Sequence, residues 1–160
     1  MGTSTGSGRL EYQGLDICYM NEQLLNNLIV SAIEASKNSY SPYSKYRVGA
    51  ALLGTSGRIF TGCNVENASY GATICAELTA VVKAISEGEH KFSALAIHGS
   101  SHQPKPNQTY YAYPCGICRQ VLSEFAEPDL TVLIVHSEND YLKRTLGELL
   151  PDSFGSANLE

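Results

Sequence analysis

Three cysteines constrain this chain more than any other residues: Cys75, and forty positions later the pair Cys115 and Cys118. If one metal takes all three, the fold has to bring two distant segments, each a predicted helix start, to a single point. In Cys75-Ala76-Glu77-Leu78 a carboxylate stands two residues after the thiol. In Pro114-Cys115-Gly116-Ile117-Cys118-Arg119-Gln120 two thiols are three apart, which puts them on one side of a first helical turn. Three thiols do not complete a four-coordinate structural zinc site. They suit a zinc that keeps one position open for water, with Glu77 beside it to move that water's protons. Helix N-termini add free N–H groups and partial positive charge, which favour the thiolate form. At the first turn the metal lies off the helix end, so Cys75 and Glu77 can both border it.

Each half alone has a plainer reading. A lone C-x-x-C serves as a redox pair, or as half of a structural zinc site whose fourth ligand here would be a residue such as Cys63. A lone Cys-Ala-Glu within a helix usually carries no chemistry. The two together, with Pro114 ahead of Cys115 and an alternating α/β pattern around them, point to catalysis. Cys18 and Cys63 then read as packing cysteines, and His90, His98, His102 and His136 show no ligand spacing.

The whole chain limits the substrate. Its 160 residues make about one domain with a real core, and the net charge is −5 with no cluster of Lys or Arg. Polynucleotide binders need a basic surface or channel, so a small substrate is expected and no nucleic acid. Five cysteines, an odd number, without a signal sequence speak against a disulfide framework. Met1 to Gly8 is Gly/Ser/Thr-rich with neither a basic n-region nor an apolar run, so no signal peptide is expected. No stretch of about 18 apolar residues suggests a membrane span. The expected layout is a flexible tail over residues 1–15 and one domain over 16–160, in the cytoplasm.

Periodicity supplies the frame. Leu24, Leu25, Leu28, Ile29, Ala32, Ile33 and Ala35 recur at helical spacing and predict a helix from Asn21, its N-cap, to about Asn38. Pro42 ends that run. Tyr46–Leu53 and Arg58–Val65 flank Gly54-Thr55-Ser56-Gly57 as an antiparallel hairpin, and Gly49-Ala50-Ala51 predicts close packing under another element. A helix is predicted over Ile74–Glu87 before Gly88, and a strand over Phe92–His98. A polar, proline-containing loop follows over Ser100–Tyr113, then a helix over Gly116–Phe125 and a strand over Leu130–His136. Tyr141–Leu146 reads as an edge strand and Gly147–Leu150 as a turn of helix. The predicted fold is α/β, with helices against a mixed sheet of about five strands.

C-A-E followed by P-C-x-x-C resembles the cytidine deaminases in their small three-cysteine form; zinc deaminases more often place His at the first position. Ser41-Pro42-Tyr43-Ser44, Val48-Gly49-Ala50-Ala51, Gly62-Cys63-Asn64-Val65-Glu66-Asn67-Ala68, the C-R-Q from Cys118, and Glu148-Leu149-Leu150-Pro151-Asp152-Ser153-Phe154 resemble further blocks of that family. The likeness runs from Asn21 to Leu159 and implies the family's three-layer α/β/α fold. It implies one zinc per subunit, on Cys75, Cys115 and Cys118. It implies hydrolysis of cytidine and deoxycytidine to uridine and deoxyuridine, in pyrimidine salvage. Glu77 would take a proton from the water that attacks C4, pass it to ring N3 and later protonate the leaving ammonia. Asn64 and Glu66 would hold the ribose 3′-hydroxyl. Tyr46 (where the family usually has Phe), Ala68 and Tyr70 would border the pocket, and the backbone at Ala76 would meet the ring's polar edge. The likeness also implies a homotetramer with shared active sites, Phe154 closing over the base.

The family commonly reads C-A-E-R, and here the fourth position is Leu78. Zn²⁺ with three thiolates carries a net charge of −1, which works against ionising a bound water. The two helix N-termini offset part of this, and Arg119 is the candidate to supply more. C-A-E-L also resembles the blasticidin S deaminases, which act on a cytosine-containing antibiotic. The Asn64-x-Glu66-Asn67 block favours cytidine.

Overall fold

The structure, a computed structural model, describes residues 20–103 and 109–159. The tail expected over 1–15, Cys18, and residues 104–108 of the polar loop lie outside the described residues.

Asn21 caps the first helix, α1 (Glu22–Ser36), its side chain accepting the Leu24 N–H at 2.7 Å. The apolar stripe places Leu28, Ile29 and Ala32 in the core. The hairpin follows as β1 (Tyr46–Gly54) and β2 (Ile59–Cys63), closed by a Gly57 N–H bond to the Gly54 carbonyl. Then come α2 (Ala76–Ser86), β3 (Phe92–Ser101), α3 (Gly116–Phe125), β4 (Thr131–Ser137), β5 (Asp140–Thr145) and α4 (Leu146–Leu149). Short 3-10 turns occupy Tyr70–Ala72 and Ser156–Asn158.

The five strands form one mixed sheet in the order β2-β1-β3-β4-β5, with only β3 and β4 parallel. Alternation along the strands divides the core in two. Ala51, Leu53, Ala94, Ala96, Leu133 and Val135 pack beneath α1. Ala50, Leu52, Leu95, Ile97, Val132 and Ile134 pack beneath α2, α3 and α4. The layers are α/β/α, as the sequence predicts. Among the described residues no helix is long and apolar enough to cross a membrane.

Helix and sheet approach most closely at two glycines. A Cβ on Gly49 would lie 2.2 Å from the Ala32 carbonyl of α1, and one on Gly62 would lie 2.4 Å from the Ala76 carbonyl of α2. Close packing at Gly49 is therefore as expected. Gly62 seats the first turn of α2 directly on β2.

Boundaries differ from the prediction where tertiary contacts decide them. β3 runs on to Ser101 because β1 pairs with it along its whole length, Tyr46 opposite Ser101. β2 stops at Cys63, short of Val65, because the chain leaves the sheet there; Val65 bridges instead to Tyr40 on one side and Ile74 on the other. α1 ends at Ser36, and α2 starts after Cys75 where the prediction had Ile74. α4 takes Leu146–Leu149, fixed by a capping box between Thr145 and Glu148.

Candidate active site

Cys75 and Cys115 are the N-cap residues of α2 and α3, both with extended backbone and neither using its side chain as a cap. Each sulfur is therefore left beside the positive end of a helix. Cys118, one turn into α3, is fully buried. Cys75 Sγ lies 3.8 Å from Cys115 Sγ, which lies 3.5 Å from Cys118 Sγ, and all three fall within 4.8 Å of one another. Zinc bound to sulfur at about 2.3 Å in a tetrahedron separates its ligands by about 3.8 Å, so the triad fits that ion. The described residues supply three ligand atoms to this cluster, and Cys63 is not one of them. Its thiol faces the Asn38 carbonyl at 3.4 Å, so a structural site completed by Cys63 finds no support.

The charges on the triad are coupled. A hydrogen bond from Cys118 lowers the Cys75 thiol from its ordinary value to about 6, against the opposing effect of burial. The same bond, with burial, raises Cys118. Cys75 and Cys118 are thus pushed in opposite directions, the thiolate favoured on the first and the thiol on the second. Glu77, in the first turn of α2, is only 4% exposed. Burial chiefly raises its carboxyl to about 7, and the charge of Cys75 adds to this, while bonds from its own N–H and from Cys118 oppose it. The carboxyl thus shares a hydrogen bond with Cys118 and feels the charge of Cys75.

Backbone pairing carries a second group of predicted residues to this helix end. The Val65–Ile74 bridge lays the segment after β2 against the segment leading into Cys75. The Thr79 hydroxyl contacts both the Cys63 and the Cys75 carbonyls, at 3.0 and 3.2 Å. Asn64 is nearly buried: its Oδ1 accepts the Val48 N–H at 2.8 Å, and its Nδ2 donates to the Tyr46 carbonyl at 3.0 Å. Glu66 accepts the N–H groups of Tyr43 and Ser44 at 2.8 and 3.2 Å. The Ser44 hydroxyl bond first, then those N–H groups, hold its carboxyl below the usual range.

The remaining predicted residues are placed as follows. Ala76 is fully buried under the α2 start, and Ala68 is exposed. Tyr46 is half-buried, its hydroxyl lying against Gly99 of β3. Tyr70 is 77% exposed, its ring 6.0 Å from that of Tyr43, and Phe154 is also exposed. Phe154 is tied to α3 through its carbonyl, which accepts from Gln120 at 2.8 Å. Arg119 donates to the Pro114 and Leu149 carbonyls, each at 2.7 Å, bracing the residue before Cys115 against the end of α4.

Sequence reasoning missed the support around Asn64 and Glu66. Ser41-Pro42-Tyr43-Ser44 is legible as a helix stop and not as the source of N–H groups for a distant carboxylate. Lys45 adopts a φ of 57°, a left-handed conformation that nothing in its type announces. Ser39, whose hydroxyl lies 2.5 Å from Asn64 Oδ1, carries no motif at all.

Residues 22–134 match the family model described as the cytidine and deoxycytidylate deaminase zinc-binding region. A cytidine deaminase of Halalkalibacterium halodurans is 42% identical over 132 residues, which is 82% of this chain and 95% of that protein. One from Mycobacterium tuberculosis is 42% identical over 137 residues, 84% of this chain and 92% of its own. The crystal structure of a cytidine deaminase from Burkholderia pseudomallei superposes with a TM-score of 0.72 at 41% identity, covering 84% of this chain and all of that one.

Proposed function

The chain belongs to the cytidine and deoxycytidylate deaminase zinc-binding family, and on that premise we propose the reaction and the residues that carry it. The enzyme is a zinc-dependent hydrolase that converts cytidine and deoxycytidine to uridine and deoxyuridine. The observation that carries this reading is a triad of sulfurs at tetrahedral spacing with a buried carboxyl in contact with one of them.

Cys75, Cys115 and Cys118 would hold the zinc, which when bound would supply the Lewis acidity that makes a water ionisable near neutral pH. Glu77 would take a proton from the attacking water and hand it to ring N3 as oxygen adds to C4. It would then collect the proton of that new hydroxyl and deliver it to the amino group, which leaves as ammonia when the C4–N bond breaks. A carboxyl that burial has pushed up to about 7 is suited to alternate between base and acid. Burial of Ala76 and Glu77 at the start of α2 keeps bulk water from the exchange.

Asn64 and Glu66 bind the sugar. Asn64 carries a second N–H to donate and the Glu66 carboxylate has acceptor capacity beyond its bonds to Tyr43 and Ser44, which together match a single hydroxyl. Tyr46, Ala68 and Tyr70 border the base, and the Ala76 backbone meets its polar edge. The exposed Tyr70 and Phe154 are completed by neighbouring copies in a homotetramer. The setting is cytoplasmic pyrimidine salvage. The direct test is loss of cytidine absorbance on adding purified protein, with blasticidin S assayed alongside. Turnover of cytidine that a chelator abolishes and added zinc restores supports the reading; turnover untouched by chelation sinks it.

A further inference from the structure

Ser39 lies in the segment between α1 and β1, just ahead of Ser41-Pro42-Tyr43-Ser44. Its hydroxyl has one proton and two acceptors in reach, Asn64 Oδ1 at 2.5 Å and Ser41 Oγ at 3.2 Å. The orientation of the Asn64 amide is not ambiguous. The Val48 N–H requires an acceptor and the Tyr46 carbonyl requires a donor, so Oδ1 faces the first and Nδ2 the second. The Ser39 proton must then point at Asn64, which is also the shorter contact. With it, both lone pairs of Oδ1 are filled and Asn64 faces a ligand as a donor only.

Val48 and Tyr46 both belong to β1, so their two bonds leave the amide able to rock about the line that joins them. The Ser39 bond comes from a different element and removes that freedom. We propose that Ser39 is a positioning residue of the sugar subsite, locking the Asn64 amide so that its remaining N–H stays available to a substrate hydroxyl. This rests on the reading of Asn64 as a sugar contact and adds the residue that orients it.

The test is a double-mutant cycle on the zinc-loaded enzyme with cytidine as substrate. Ser39→Ala should raise KM roughly three- to ten-fold, the effect of one neutral hydrogen bond, with a much smaller change in kcat. Ser39→Thr, which keeps the hydroxyl, should stay within about two-fold of the parent. On an Asn64→Ala background, Ser39→Ala should add nothing to KM. If Asn64→Ala raises KM but Ser39→Ala leaves it alone, or only lowers the melting temperature, Ser39 has no positioning role. An undiminished Ser39→Ala effect on the Asn64→Ala background overturns the proposal equally. If Asn64→Ala itself leaves KM unchanged, the sugar reading of Asn64 fails first. Should Ser39→Ala not fold, Ser39→Cys keeps the volume with a weaker donor and must still raise KM.

Discussion

Glu77 is almost inaccessible to water, and the charge of Cys75 acts on its carboxyl in the same direction as burial. Replacing it by Gln keeps the shape and removes the titration. Glu77→Gln should retain one zinc per chain by metal analysis while kcat for cytidine drops by roughly 10²- to 10⁴-fold. A second consequence concerns the metal-free protein. Folding raises the Glu77 carboxyl from 4.5 to about 7, so its stabilising contribution is complete below pH 4.5 and is lost as pH rises through 7. Cys75 acts in the opposite sense, because its thiol is lowered from 9.0 to about 6 and adds stability as pH climbs from 6 to 9. Melts of chelated protein should therefore show the parent losing stability relative to Glu77→Gln between pH 4.5 and 7. The difference should be on the order of 3 kcal/mol, at about 1.4 kcal/mol per pH unit. Parallel curves over that window would remove burial as the cause.

At the scale of elements, the site is two helix starts seated by backbone contact. Gly62 lies directly under α2, and Gly49 lies under α1 on the opposite face of the sheet. Gly62→Ala and Gly49→Ala should each destabilise the fold by roughly 1–3 kcal/mol in thermal or denaturant unfolding, since backbone must move to admit the methyl. Of the two, only Gly62→Ala should weaken zinc in chelator competition, because α2 carries a ligand at its start and α1 carries none. Arg119 braces the other helix start through two carbonyls. Its guanidinium fork makes both bonds at once, which a single ammonium does not reproduce. Arg119→Ala should weaken zinc retention and lower kcat, and Arg119→Lys should fail to restore either. Full rescue by Lys would mean that charge on the thiolates, and not the brace, is what Arg119 provides.

For the whole molecule, apolar side chains stand open around the site: Tyr43, Tyr70, Ile74, Ile117 and Phe154. Exposed apolar side chains of this kind are what a second copy would cover. Light scattering should give four times the 17.3 kDa chain mass, and a monomeric mass would leave Tyr70 and Phe154 without their proposed role. Zinc contributes at this scale too. At free zinc a thousand-fold above its dissociation constant, binding adds about 4 kcal/mol to stability, so chelation should lower the melting temperature in step with loss of turnover.

Ligand chemistry and periodicity are local properties, and they were readable residue by residue. Cys75, Cys115, Cys118 and Glu77 announce themselves by donor type and spacing, and the alternating and helical apolar patterns announce the layers. Capping by Asn21 and the glycine beneath α1 were legible for the same reason. What no local pattern encodes is which groups meet across long stretches of chain. The sulfur separations depend on how α2 and α3 settle on one face of the sheet. The end of β3 depends on β1, the partners of Arg119 depend on where α4 stops, and Ser39 reaches Asn64 across 25 residues. The sequence by itself therefore determined the chemistry available to this protein. Tertiary packing alone decided the orientation of the groups that use it, because hydrogen bonds a few ångströms long are set by where whole elements come to rest.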